Sequence, residues 1–94
     1  MRKLVWDSSF RRAFKGRTRN DLALQTRIFD TLDQVVADPF QPMLRTHKLK
    51  GNLAGMWACW VEYDCRILFL FERDTEGTED VIVLVDLGSH DEVY

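Results

Sequence analysis

The chain has 94 residues, 46% hydrophobic and 30% charged, with a formal net charge of −2; this limits it to a single domain, residues 1–94, near the lower end of what supports an independent core. The longest apolar runs, Ile67 to Phe71 and Val81 to Val85, are far too short to cross a bilayer, and Met1-Arg2-Lys3-Leu4-Val5-Trp6 reaches Asp7 without a signal-peptide core, so a cytoplasmic protein with no membrane partner is expected. The net charge conceals an asymmetry: residues 1–50 hold eleven Lys/Arg against five Asp/Glu, and residues 51–94 hold two against ten, which excludes a uniformly basic nucleic-acid binder but not a basic face built from the first half.

Lys3 to Trp6 reads as a first strand, with a span of about residues 2–6 expected. Asp7, Ser8 and Ser9 then offer N-cap oxygens to a helix over residues 8–15 that carries Arg11, Arg12 and Lys15 and runs out near Gly16. Arg17 and Arg19 follow in a basic loop. Asn20 or Asp21 caps a second helix, residues 21–37, which Asp38-Pro39 stops. Its Leu22, Ile28, Phe29, Leu32, Val35 and Val36 recur at helical spacing, so one stripe faces a core.

Pro39 and Pro42 mark an extended connection into Leu44-Arg45-Thr46-His47, and Gly51 and Gly55 bracket a tight turn. Strands are expected over residues 56–62 and 65–72, joined by a turn at Glu62-Tyr63-Asp64, and over residues 80–87 after a polar loop. The two later strands are nearly continuous in apolar residues, as in a sheet covered by helices on at least one face. The order β-α-α-β-β-β predicts an α+β domain, two N-terminal helices packed on one face of a largely antiparallel four-stranded sheet.

Cys59 and Cys65 are too few for a disulfide framework and read as buried reduced thiols. Two Cys and two His without close pairing do not make a zinc site, so no metal and no cofactor are expected. Arg66 interrupts an apolar row, Cys65-Arg66-Ile67-Leu68-Phe69-Leu70-Phe71, and an unpartnered charge there would be costly. It therefore lies on an exposed face, in an ion pair or in an anion site. Strand parity puts it with Leu68 and Leu70, opposite the face that Ile67, Phe69 and Phe71 give to the core.

Two imidazoles, His47 in a basic loop and His90 just past the last strand, join Arg66, Lys48 and Lys50 as sufficient parts for metal-free RNA cleavage. One group must take the 2′-hydroxyl proton, another must protonate the departing 5′-oxygen, and cations must stabilise charge on the phosphorane-like transition state. Imidazole, with an ordinary pKa of about 6.5, suits both transfers. Arg66 would supply a planar fork, and Lys48 and Lys50 point charges. By themselves these residues are a weak signal, since a loop histidine is commonly only a surface residue.

The segments His47-Lys48-Leu49-Lys50-Gly51, Leu53-Ala54-Gly55-Met56-Trp57, Asp64-Cys65-Arg66-Ile67-Leu68-Phe69 and Gly88-Ser89-His90-Asp91-Glu92-Val93-Tyr94, with Asp38-Pro39-Phe40 ending the second helix, resemble the RelE/YafQ toxins of bacterial toxin–antitoxin modules over nearly the whole chain. The resemblance implies a RelE-like, microbial-ribonuclease-type fold. It also implies a ribosome-dependent endoribonuclease that cuts mRNA in the ribosomal A site and is silenced by a cognate antitoxin, with operator DNA bound only through that antitoxin. By it, His47 stands at the position of a proton-transfer residue, Arg66 at an arginine contacting the scissile phosphate, and His90 at the general acid. Asp64 matches a site residue of the YafQ branch that orients an imidazole, and Tyr94 a tail aromatic that positions a base. Ala58 stands where the RelE branch has an arginine, and Trp60 where YafQ has a further histidine.

Two other functions fit the same fold. A ParE-like toxin would poison DNA gyrase by binding, for which the set His47, Arg66 and His90 is not needed. A non-enzymic interaction module would use the acidic second half to hold a basic partner.

Overall fold

Asp7 opens the first helix by accepting the Ser9 backbone N–H at 3.2 Å, and the hydroxyl and N–H of Ser9 hold its carboxyl below the usual carboxylate range. The structure, a computed structural model, describes residues 2–73 and 80–89. Among them β1 (Lys3–Trp6) is followed by α1 (Ser8–Thr18), α2 (Leu22–Ala37), a 3-10 turn at Pro42–Leu44, β2 (His47–Lys48), a second 3-10 turn at Gly51–Leu53, and then β3 (Trp57–Glu62), β4 (Cys65–Arg73) and β5 (Asp80–Gly88). The α+β class and the order of the main elements are as expected.

The sheet differs from the expectation in number and in direction. It has five strands, ordered β1-β5-β4-β3-β2. The pairs β2–β3, β3–β4 and β4–β5 are antiparallel, whereas β1 runs parallel to β5, Lys3 opposite Val81 and Trp6 opposite Leu84. The additional strand is β2. His47 is therefore not in a loop; it pairs with Ala58, and Lys48 pairs with Trp57. The connection before β2 is also less extended than expected, because Pro42 starts a 3-10 turn that seats Leu44 in the core at 1% exposure.

α1 passes Gly16 and ends at Thr18. The Thr18 hydroxyl donates to the Phe14 carbonyl at 2.6 Å, and Asn20, at φ 60°, turns the chain into the cap of α2. There the Asp21 carboxylate accepts the Leu24 N–H at 3.0 Å. α2 buries Leu24, Ile28, Thr31, Leu32 and Val35 along one stripe, and it ends where Asp38 is extended ahead of Pro39, a residue order that disfavours helix. No described helix is long and apolar enough to cross a membrane.

The helices and the sheet close on a core that includes Phe10, Ile28, Val35, Leu44, Cys59, Ile67, Phe69, Ile82 and Leu84. Trp6 packs edge-on against Phe10 at 4.9 Å between ring centroids, tying β1 to α1. Cys59 and Cys65 are buried free thiols. Burial pushes the Cys59 thiol up to about 12 and raises that of Cys65 as well. On the opposite face, Leu49, Ala58 and Leu68 form a smaller apolar cluster with Leu53 and Met56. Leu53 of the Gly51–Leu53 turn packs against that cluster, and Gly51 (φ 66°) and Gly55 (φ 93°) supply the left-handed backbone this loop requires.

Candidate functional site

Register builds the site on the face away from the helices. One row across the sheet is His47–Ala58–Leu68–Asp86, and the next is Trp60–Arg66–Gly88. The rows are about 7 Å apart along the strands, and His47 and Arg66 are separated laterally by two strands, about 10 Å. Both residues therefore belong to the same face of the sheet, with the Arg66 guanidinium turned towards the β3–β4 turn. The parity assignment of Arg66 to the face of Leu68 is correct.

Its exposure is not as expected. Arg66 is only 4% exposed, and its Nη1 donates to the carbonyl oxygens of Glu62 at 2.5 Å, Tyr63 at 2.8 Å and Cys65 at 3.3 Å. Three backbone dipoles of the β3–β4 turn receive the guanidinium, a fourth accommodation beside solvent, an ion pair or an anion site. The charge that interrupts the apolar row thus also closes its own hairpin, while remaining next to Gly88, where β5 ends.

His47 is half-buried at the start of β2, and its Nδ1 lies 2.9 Å from the carbonyl oxygen of Arg45. A carbonyl oxygen can only accept, so Nδ1 is the donor in this contact, and Nε2 on the other side of the ring is buried. Arg45 reaches this geometry in the left-handed region, φ 50° and ψ 37°. Its guanidinium carbon stands 5.1 Å from the centre of the Trp60 ring, within range of a cation–π contact.

Among the described residues, Lys48, Lys50 and Asp64 do not converge on His47. Adjacent residues of a strand point to opposite faces, so Lys48 projects to the helix side, where its Nζ stands 5.4 Å from the centre of the Trp57 ring. Lys50 is exposed at the far end of the β2–β3 hairpin, on the other side of the His47 row from Arg66. Asp64 is exposed at the β3–β4 turn, about 13 Å along the strands from the His47 row, and its carbonyl accepts Arg17 Nη2 at 2.6 Å. His90 and Tyr94 lie outside the described residues, one and five positions past Ser89. Conversely, Asp86 shares the row of His47 and is exposed, and Arg45 and Trp60 touch the site. Sequence reasoning singles out neither Asp86 nor Arg45, and marks Trp60 only as a departure. Strand parity would have found Asp86 once β5 was put in register with β4.

Solved structures similar to this chain include bacterial toxins. The chain is similar to a YoeB/ParE toxin from Agrobacterium tumefaciens, with 24% identity, a TM-score of 0.76 and coverage of 94% of this chain and 98% of that one. It is similar to a metal-bound toxin from Helicobacter pylori, with 25% identity, a TM-score of 0.67 and 100% of both chains covered. It also matches the Staphylococcus aureus YoeB–YefM complex at 15% identity, with a TM-score of 0.70 over 96% of this chain and 98% of that one. No curated relative matches the chain. Residues 2–94 match the family model of YafQ, the bacterial toxin of type II toxin–antitoxin systems, and the chain belongs to that family.

Proposed function

We propose that this toxin is an endoribonuclease that cleaves mRNA on the ribosome by general acid–base transesterification. The observation that carries the reading is the pairing of His47 and Arg66 on one sheet face, two strands apart, with His47 Nδ1 held on the Arg45 carbonyl. The His47 imidazole takes the 2′-hydroxyl proton, and the oxygen attacks the adjacent phosphorus. Arg66 provides a fixed positive charge next to the developing phosphorane, and its bonds to the turn hold it in place before substrate arrives, so little reorganisation is needed during reaction. His90, two residues past Gly88, supplies the proton to the 5′-oxygen, completing a cyclic phosphate and a free 5′-hydroxyl. Asp64 and Lys48, given their positions, support the hairpin turn and the Trp57 edge, and Lys50 contacts the RNA backbone at the rim.

A cognate antitoxin silences the protein. The support is family membership and the architecture shared with a toxin solved in a YoeB–YefM complex. The exposed Arg11, Arg12 and Arg19 of the α1 region suit acidic residues on such a partner, and rim charges of this kind set association rate and salt sensitivity more than affinity.

The deciding experiment adds purified chain to a translating extract and maps mRNA 5′ ends. New ends within translated codons, lost with His47→Ala, are expected. Intact mRNA with blocked supercoiling by gyrase would replace this reading with the ParE-like one.

A further inference from the structure

α2 carries a second periodic stripe beside the one it buries. Arg27, Asp30, Thr31 and Gln34 recur at helical spacing and so share one face of the helix. With Met43 and Trp60 they line an open groove of about 240 Å³. The groove lies at the sheet edge: β2 pairs only with Trp57 and Ala58, so beyond Ala58 no described strand stands on the outer side of β3. Trp60 belongs both to this groove and to the row of Arg66, its partner across the β3–β4 ladder. The Thr31 hydroxyl donates to the Arg27 carbonyl at 2.7 Å. Asp30 and Gln34 differ, because among the described residues no hydrogen bond or ion pair engages either side chain.

We propose that this groove is a nucleobase subsite, holding the nucleobase of a nucleotide next to the scissile phosphate; that placement rests on the cleavage reading above, whereas the binding chemistry stands on the groove alone. Proteins read single-stranded RNA by stacking its bases on aromatic rings and bonding their edges, and the groove offers both. Trp60 gives the ring, and Met43, 67% exposed, gives a soft apolar wall. The Gln34 amide can donate and accept, whereas the Asp30 carboxylate can only accept. The pair therefore fits an edge that sets an exocyclic amino group beside an acceptor, as adenine, cytosine and guanine do. Uracil instead sets one N–H between two carbonyl oxygens, whose lone pairs would face the carboxylate. Sites for drug-sized ligands begin at about 300 Å³, so a groove of about 240 Å³ suits one ring system with its sugar and phosphates outside. Cations flank it for those phosphates. The Arg45 guanidinium stands 5.1 Å from the centre of the Trp60 ring, and Arg27, on the groove's own stripe, shares its charge with Glu62 at 3.3 Å.

The test titrates AMP, CMP, GMP and UMP into the full chain and follows the Trp60 indole N–H and the Gln34 side-chain amide by NMR. These mononucleotides have no phosphodiester to cut, so binding is read apart from activity. AMP, CMP and GMP should shift both signals, and UMP should bind about ten-fold more weakly, the scale of one well-formed edge contact. Trp60→Leu should weaken AMP binding by about 10- to 100-fold, the scale of one base–aromatic stack, and Trp60→Phe should keep most of it. Asp30→Ala should weaken AMP towards UMP, and its melting temperature should hold, because alanine favours an exposed helix position. Asp30→Asn, which adds a donor, should admit UMP, and mRNA 5′ ends cut by this variant should shift towards sites beside uridine. No shift with millimolar nucleotide would overturn the proposal, as would equal shifts from all four that persist in Asp30→Ala. Signals that move only with the co-expressed antitoxin would give the groove to a protein segment and overturn it too. Selective nucleotide binding by a wild type that cuts no RNA would support the subsite and overturn only the cleavage reading.

Discussion

Arg66 donates from Nη1 to the carbonyl oxygen of Tyr63 at 2.8 Å, three residues back along the chain. With Glu62 and Cys65 also accepting, one buried cation saturates the carbonyls of the β3–β4 turn. Hydrogen bonds to a charged group contribute about 1.5–3 kcal/mol each, and buried acceptors left bare cost more than the bond itself. Arg66→Ala should therefore destabilise the fold by about 3 kcal/mol and lower the melting temperature of a chain this size by more than about 10 °C. Loss of activity in this variant is consequently not evidence of phosphate contact. Arg66→Lys is the informative partner: its compact ammonium can still meet the turn carbonyls but lacks the planar fork. It should recover much of the melting temperature and little of the cleavage rate. Recovery of both would reduce Arg66 to a structural cation.

The two lysines beside His47 should separate. Lys48 sits over Trp57 on the helix side of the sheet, so Lys48→Ala should leave the cleavage rate within about two-fold and cost less than about 1 kcal/mol of stability, the scale of an exposed cation–π contact. Lys50, exposed at the hairpin end, should act as one screened phosphate contact. Lys50→Ala is expected to weaken ribosome association and to flatten its salt dependence by about one counterion. Binding measured across a salt series distinguishes the two, and equal effects would mean that the parity of β2 is misassigned.

What the sequence could and could not reveal follows from which forces act locally. Both helices were legible from capping residues and periodicity, since Asp7 and Asp21 cap them in fact. α1 passes Gly16 because Thr18 is buried and bonds back to the Phe14 carbonyl, which offsets a modest propensity penalty. β3, β4 and β5 were legible as apolar runs. β2 was not, because two residues have no periodicity and its strand character comes entirely from Trp57 and Ala58 across the hairpin. That omission misplaced Lys48, which was grouped with His47 as if both left one loop. The parallel docking of β1 on β5 depends on how α1 and α2 return the chain, which no local pattern encodes. The face of Arg66 was legible from parity; its burial was not, because its acceptors are main-chain carbonyls that every residue type carries.

Alkaline pH provides a test of the core that is independent of activity. The Cys59 thiol is raised from 9.0 to about 12 by burial. The folded state thus resists ionising it while the unfolded chain does not. This contribution is fully present below the unfolded value and is lost as pH rises through the window from about 9 to about 12, because only the unfolded state releases its proton there. Three pKa units correspond to at most about 4 kcal/mol, shared in direction by Cys65. Stability measured by urea denaturation should fall over this window, and Cys59→Ala should flatten the slope. A wild-type curve that is parallel to the variant's would mean that the thiol ionises without unfolding the core. By the same burial, Cys59 should resist alkylation in the native state and react only on unfolding.

The roles of the two histidines can be separated by kinetics. His47 stands half-buried at the start of a two-residue strand, so His47→Ala should keep the melting temperature close to wild type. If its imidazole takes the 2′-hydroxyl proton, the single-turnover rate on programmed ribosomes should fall by about 10²–10⁴-fold. His90→Ala should fall by a similar factor, but for a different reason. Loss of the acid is felt in proportion to how poor the leaving group is, so a substrate with a 5′-thio leaving group, which departs without protonation, should rescue His90→Ala and not His47→Ala. Opposite rescue would exchange the two assignments. If His47→Ala keeps near wild-type rate while His90→Ala does not, the base lies elsewhere on the face; Asp86, exposed and in the same row as His47 across the sheet, is then the residue to test, and the acid assignment survives.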